Sequence, residues 1–312
     1  MAVTDRAVAA AMTDAGAPVA GEVSTVAGRE LVGILGRRPL IVTGMPARPL
    51  DSGSLAECAE QLRGSVDAVL SGDSGRARVQ YPPSYRAALI RREGLRAWLG
   101  VNARDRNRTA LHEELAALAA ADVGAVHCVT GDHTALGHRA DARAVFDLEG
   151  TTLVPAARSL GLLTSVAESP AAPPRDRRAA RTVQKQRAGA QLCLPQYVGE
   201  VSELAEFIDE TRVAGGTLPF LAGVPVVIDH DGARVLASFP GTVLPPGYLD
   251  EVLSASDPFT TGVRLAVELG TRLLAVEGVA GIVAAGGATP GSEVRYARAL
   301  AAIGRELGGG AR

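Results

Sequence analysis

The feature of this 312-residue chain that most narrows its fold is a repeated alternation of two patterns. Eight short apolar or β-branched runs recur: Pro39–Thr43, Val66–Ser71, Leu95–Asn102, Ala125–Thr130, Leu162–Ala167, Gln191–Leu194, Leu218–Val227 and Val279–Ala284. Helical stretches separate them, at Leu55–Arg63, Pro83–Arg92, Arg108–Ala121, Leu153–Leu160, Arg177–Ala188, Val201–Ala214 and Thr261–Glu277, and Pro290–Leu307 closes the chain. Runs that are apolar throughout belong to parallel strands buried on both faces. In the third helical stretch Leu111, Leu115 and Leu118 share one face, the spacing of a helix packed on a sheet. Gly161 and Gly189 stand just before strands, where helices end.

Eight such units predict an α/β fold of one domain, the (β/α)8 or TIM barrel, for which ~250 residues is the usual size. A doubly wound sheet is the competing architecture. It is disfavoured because no G-x-G-x-x-G follows the first run and no Walker A pattern occurs. Residues 1–25, rich in alanine, read as an N-terminal arm, and residues 26–312 as the barrel domain. An insertion around 229–259, carrying Pro240, Pro245, Pro246 and Pro258, reads as a lid between the seventh strand and its helix.

Composition limits function. Lys and Arg number 32 against 34 Asp and Glu, a net charge of −2. That lacks the basic excess of a dedicated nucleic-acid binder or a polybasic membrane-surface protein. No apolar stretch reaches 18 residues, so no transmembrane helix is expected. Met1–Gly21 has no continuous apolar core and does not read as a signal peptide. Cys58, Cys128 and Cys193 are distant and odd in number, which suits a reducing cytoplasmic compartment rather than a disulfide framework. Self-association into a homo-oligomer is left open. Lys185 is the single lysine, and Asn102 and Asn107 are the only asparagines, in a chain whose bias toward Ala and Arg makes them stand out.

In a (β/α)8 barrel the chemistry gathers at the carboxyl ends of the strands. The polar residues falling there are Thr43 and Arg48; Ser71 and Asp73; Asn102 to Arg108; Thr130, Asp132, His133, His138, Asp141 and Asp147; Glu168; Gln196 and Tyr197; and Thr289. His133 and His138 lack a third ligand of matching spacing, so no metal site is expected. His127 lies inside a strand run and reads as a core residue, and Cys193 likewise. The glycine-rich turn 286–291 precedes a helix and could receive a phosphate.

Several of these segments form an ordered set. Ala103 to Leu111 is followed by Cys128-Val129-Thr130-Gly131-Asp132-His133, then by Val145-Phe146-Asp147-Leu148-Glu149, Lys185 to Ala190, and Leu194-Pro195-Gln196-Tyr197. Order and spacing resemble the methylenetetrahydrofolate reductase family, in particular its short bacterial and archaeal forms without a regulatory domain, over residues 30–308. The resemblance implies a (β/α)8 barrel, bound FAD, NAD(P)H as electron donor, and interconversion of 5,10-methylene- and 5-methyl-tetrahydrofolate. It places Asp132 as the catalytic carboxylate beside flavin and folate. Asp132, His133, Asp147 and Lys185 would contact the cofactor, Lys185 at the diphosphate. Gln196 and Tyr197 would contact the folate.

The departures are equally specific. The family's first strand ends in a glutamate that serves as general acid, whereas this chain reads Thr43-Gly44-Met45-Pro46. Asp51, Asp73 and Glu168 are the candidates to replace it. Ala167-Glu168-Ser169-Pro170 stands where the family has a tyrosine and a histidine against the flavin. Three readings stay open: a reductase with a relocated acid, a flavin-independent folate-dependent one-carbon enzyme, and a non-catalytic folate-binding homologue.

Overall fold

A computed structural model describes residues 22–72, 79–133, 141–238 and 242–309. It contains one closed, wholly parallel barrel in which each strand pairs with the next in sequence and the last pairs with the first. The strands are β1 (Leu40–Gly44), β2 (Ala68–Ser71), β3 (Ala97–Asn102), β4 (Ala125–Val129), β5 (Thr164–Glu168), β6 (Leu192–Pro195), β7 (Phe220–Val226) and β8 (Val279–Gly286). Closure runs through Leu40↔Gly281 to Thr43↔Ala284. The expected (β/α)8 architecture is therefore present, with strand limits differing from the sequence reading by a residue or two.

Helices fill the connections: α1 (Val26–Leu35), α2 (Ser52–Leu62), α3 (Pro83–Arg92), α4 (Arg108–Ala120), α5 (Gly150–Ser159), α6 (Arg178–Arg187), α7 (Val201–Val213), α8 (His230–Ala237), α9 (Tyr248–Ser254), α10 (Pro258–Leu274) and α11 (Glu293–Leu307). Local chemistry sets several starts. Asp51 accepts the Ser54 amide at 2.8 Å, Asn107 accepts the Ala110 amide at 3.0 Å, and Asp229 accepts the Gly232 amide at 2.7 Å. Each satisfies a backbone donor that the first helical turn leaves unpaired. Asp51 is thus a helix cap, not a relocated catalytic acid. Asp73 and His138 lie outside the described residues.

Strand side chains alternate between two environments. Ile41, Val69, Leu99, Val126, Val166, Phe220 and Ile282 face outward and pack beneath the helices. Leu40, Val42, Ala68, Trp98, Ala125, Leu163, Leu192, Leu221 and Val283 face the lumen. Helix α1, for which the sequence reading made no provision, plugs the amino-terminal end: Leu31 and Ile34 join the lumen cluster. The region read as an insertion holds α8 and α9, which form a small apolar cluster of their own with Tyr197 and Val227. Tyr248 ties it down by donating its hydroxyl hydrogen to the Pro225 carbonyl at 2.6 Å. No helix among the described residues is long and apolar enough to cross a membrane.

Leu31→Ala tests the plug. Leu31 is fully buried, and a cavity of that kind costs about 3 kcal/mol. Urea denaturation should show that loss with helix content unchanged; a change under about 1 kcal/mol would mean that α1 does not close the barrel.

Candidate ligand site at the barrel mouth

The lower lumen is filled, and several inward residues above it are partly exposed. Following the inward positions upward leads from Leu40 to Gly44, from Trp98 to Gly100 and Asn102, from Leu163 to Ser165 and Ala167, and from Leu221 to Gly223 and Pro225. Gly44, Leu70, His127, Val129, Ala167, Gln196, Gly223 and Ala285 each keep partial exposure, whereas the inward residues beneath them have little or none. At this level the small residues Gly44, Ala167 and Ala285 stand among Leu70, His127, Val129 and Gln196, above a sealed floor, at the carboxyl ends of the strands.

On the β3–β4 side a buried arginine arranges the rim. Arg104 is 1% exposed. Its guanidinium grips Asp105 through two bonds of 2.6 Å and donates to the Asp132 carbonyl at 3.2 Å, while its own carbonyl accepts the Val145 amide at 2.7 Å. The Arg104 bond is the main reason that the Asp105 carboxyl titrates below its usual range. Gly131 turns the chain with φ of 88°, and a Cβ there would lie 3.1 Å from both Asn102 and Arg104. Glycine suits both the positive φ and the close approach. The Asp132 carboxylate consequently stands exposed on the rim beside His133, whose ring lies 6.4 Å from that of Phe146.

Asp147 does not face the mouth. Its carboxylate accepts the Arg108 amide at 2.7 Å, which ties the β4–α5 connection to the start of α4. That carboxylate sits at a helix amino terminus, where a negative charge is stabilised. Gln196 does reach the opening: it is half-buried, and its side-chain oxygen accepts the Tyr197 amide at 3.1 Å. That bond leaves the carboxamide NH2 group oriented by the chain itself. Tyr197 is wall rather than contact. Its ring lies against Gly223, where an added Cβ would come within 2.9 Å, and its hydroxyl donates to the Ala285 carbonyl at 3.0 Å. Burial pushes its phenol well above the usual tyrosine range.

Behind β5 sits the strongest charge cluster. Glu168, 2% exposed at its side chain, receives Lys185 Nζ at 2.7 Å on one oxygen and Arg178 at 3.0 Å on the other. Lys185 also donates to the Ala167 carbonyl. Burial alone would raise the Glu168 pKa, but the Lys185 charge and the hydrogen bonds from Lys185, Ser169 and Arg178 outweigh it and hold the carboxyl below its usual range. Glu168 is therefore ionised at neutral pH and is a poor proton donor, so it does not replace the missing first-strand acid. On the connection that follows β1, Arg48 pairs with both Asp51 and Glu293.

His127, read as a core residue, is inward on β4, within the core of the barrel, and keeps partial exposure. Nδ1 lies 2.9 Å from Ser165 Oγ, which also accepts Trp98 Nε1 at 3.1 Å. Burial, with a smaller contribution from Lys185, lowers its pKa to about 4. The sequence signal that could have found it was parity: His127 lies two residues after inward Ala125. The glycine-rich turn after β8 is self-satisfied rather than waiting for phosphate, since buried Glu293 accepts the Gly291 amide at 2.9 Å and pairs with Arg48 at 3.4 Å. Cys58, Cys128 and Cys193 are free thiols buried in the outer core, and burial lifts each pKa to about 12. Among the described residues no group of three or more His, Cys, Asp or Glu could hold a metal ion.

This is a (β/α)8 barrel. No family model matches the chain, and no curated protein matches it. Its fold is similar to that of a Clostridium thermocellum protein that binds two copies of 5-methyl-5,6,7,8-tetrahydrofolic acid, with a TM-score of 0.61 and 13% identity over 86% of this chain and 96% of that one. It is also similar to 2,3-dimethylmalate lyase, a member of the PEP mutase/isocitrate lyase superfamily, with a TM-score of 0.52 and 13% identity over 83% and 78% of the two chains. Likeness at this identity establishes the fold.

Two pH effects follow. Glu168 has a depressed folded pKa, so its contribution is present above the unfolded value of about 4.3 and lost as pH falls through the folded one. Glu168→Gln leaves two buried cations short of a counter-charge and should cost about 3 kcal/mol at pH 7, with a smaller acid-dependent loss below about pH 4. His127 is also depressed: between about pH 6.5 and 4 the unfolded chain binds a proton that the folded one refuses, so stability falls with acid. Chemical denaturation across this range should show a flatter profile for His127→Gln; an unchanged slope would place the imidazole in water.

Proposed function

We propose that the open end of the barrel binds a reduced folate and that the chain is a folate-dependent one-carbon protein working without a flavin. The observation that carries this reading is the oriented Gln196 carboxamide among the partly exposed inward residues at the carboxyl ends of the strands. A pterin is a flat heterocycle whose edge alternates donors and acceptors, and a carboxamide supplies both. The inward residues Gly44, Ala167 and Ala285 are small and partly exposed, as a site for such a ring requires. Asp132, exposed on the rim, would oppose positive charge developing on a folate nitrogen as a one-carbon unit is released or received. The likeness to a barrel that binds 5-methyl-tetrahydrofolate supports the same ligand class here.

Among the described residues the set expected to hold FAD does not fit it. The Lys185 ammonium is taken up by Glu168 and the Ala167 carbonyl rather than offered to a diphosphate. Asp147 is engaged with the start of α4. The end of β5 presents a buried ion pair where a flavin would need a flat apolar surface.

A second reading, a methylenetetrahydrofolate reductase-like oxidoreductase using FAD and NAD(P)H, is favoured by one observation: Arg104 holds the Asp132 loop at the mouth. Calorimetric titration of the full chain with 5-methyl-tetrahydrofolate, alongside absorbance spectra with added FAD, separates the two. Saturable folate binding by a colourless protein is the expected result. A bound flavin that 5-methyl-tetrahydrofolate bleaches would select the second reading, and absence of folate binding would overturn both. Asp132→Ala, a surface change that should alter stability by less than about 0.5 kcal/mol, is expected to weaken folate binding severalfold.

A further inference from the structure

We propose that His127 is a recognition group of this site, an imidazole that hydrogen-bonds through Nε2 to the edge of the bound heterocycle. The assignment rests on the reading of the mouth as a folate site and adds a contact that the family resemblance does not supply.

Three observations converge. First, position: His127 is inward on β4, one step below the small residues of the upper lumen, and it keeps partial exposure while Trp98 and Leu163 beneath it are sealed. Second, hydrogen bonding: its Nδ1 is engaged by Ser165, whereas among the described residues Nε2 has no protein partner and is not buried away from solvent. A purely structural histidine in an apolar lumen would have both nitrogens satisfied, because an unpaired buried polar atom is costly.

Third, the ring is held by the chain through one nitrogen. The Trp98 indole can only donate, so its bond at 3.1 Å occupies one lone pair of Ser165 Oγ. The same oxygen holds His127 Nδ1 at 2.9 Å, by donating to it or, with its hydrogen on the Val126 carbonyl at 3.4 Å, by accepting from it. In both arrangements Nδ1 is spent on Ser165 and Nε2 is the nitrogen left for a ligand. Burial, and then the Lys185 charge, opposes protonation of the ring. A pterin edge presents both donors and acceptors to such a nitrogen.

The test uses the full chain with 5-methyl-tetrahydrofolate as probe. His127→Phe keeps a flat ring and removes the hydrogen-bonding nitrogen; it should bind the probe about tenfold more weakly, the typical consequence of losing one such bond and stranding its partner. His127→Gln, which retains a donor and an acceptor, should recover part of the affinity. Ser165→Ala should weaken binding less, by loosening the ring. Nitrogen-15 NMR of the wild-type imidazole provides a readout independent of variant folding: an Nε2 resonance that moves on titration is expected. Wild-type binding with an unshifted Nε2 resonance, or with equal affinity in His127→Phe, would overturn the assignment while leaving the folate reading standing. A wild-type chain that does not bind the probe overturns the folate reading and this assignment with it.

Discussion

Closing eight parallel strands into a ring creates an interior whose width the strand number sets, and the size of the inward side chains then decides whether that interior is core or pocket. Leu40, Trp98, Leu163 and Leu221 fill the lower level, and Leu31 of α1 seals it from below. Above them Gly44, Gly100 and Ala167 contribute almost no volume, Leu70, His127, Val129 and Gln196 keep partial exposure, and the Tyr197 ring covers Gly223. Closure through β8 and β1 brings Ala285 to within 3.3 Å of where a Gly44 Cβ would stand, which keeps that side of the mouth narrow.

Charge is distributed around this lumen rather than within it. Glu168 holds Lys185 and Arg178 in a buried arrangement that depends on all three groups remaining ionised. The Lys185 charge also acts on His127, where it adds to the larger effect of burial. Arg104 organises the opposite side by pairing with Asp105 and gripping the Asp132 backbone. The polar groups that a ligand would meet, Gln196, His127 and Asp132, are each positioned by an interaction with another part of the chain. That preorganisation lowers the entropic cost of binding.

Much of the fold was legible because its signals are local. Continuous apolar runs mark doubly buried strands, and the leucines of α4 repeat with helical spacing. Strand parity could also have placed His127 in the lumen, since Ala125 precedes it by two residues. Helix α1 went unread because, with no strand before it in the sequence, it falls outside the strand–helix repeat. Its amphipathic pattern, Ala27, Leu31 and Ile34, becomes meaningful only against the open end of a barrel. The site was harder to read. Asp147, Tyr197 and Lys185 were expected to face a ligand from motif positions alone. In the structure Asp147 serves the α4 terminus, Tyr197 bonds the β8 carbonyl at Ala285, and Lys185 serves Glu168.

Sequence by itself determined the number of strands, their parallel sense, the glycines and caps that end each element, and the absence of an acid after β1. These follow from periodicity and from backbone chemistry within a few residues. Tertiary structure alone decided which polar side chains are spent on the protein and which are left for a ligand. Glu168 and Lys185 are 17 residues apart, and Trp98 and Ser165 are 67 apart. Such pairings depend on where the ring closes and on which helix lies behind which strand, and a hydrogen-bonding group has no sequence mark showing whether a distant neighbour will satisfy it.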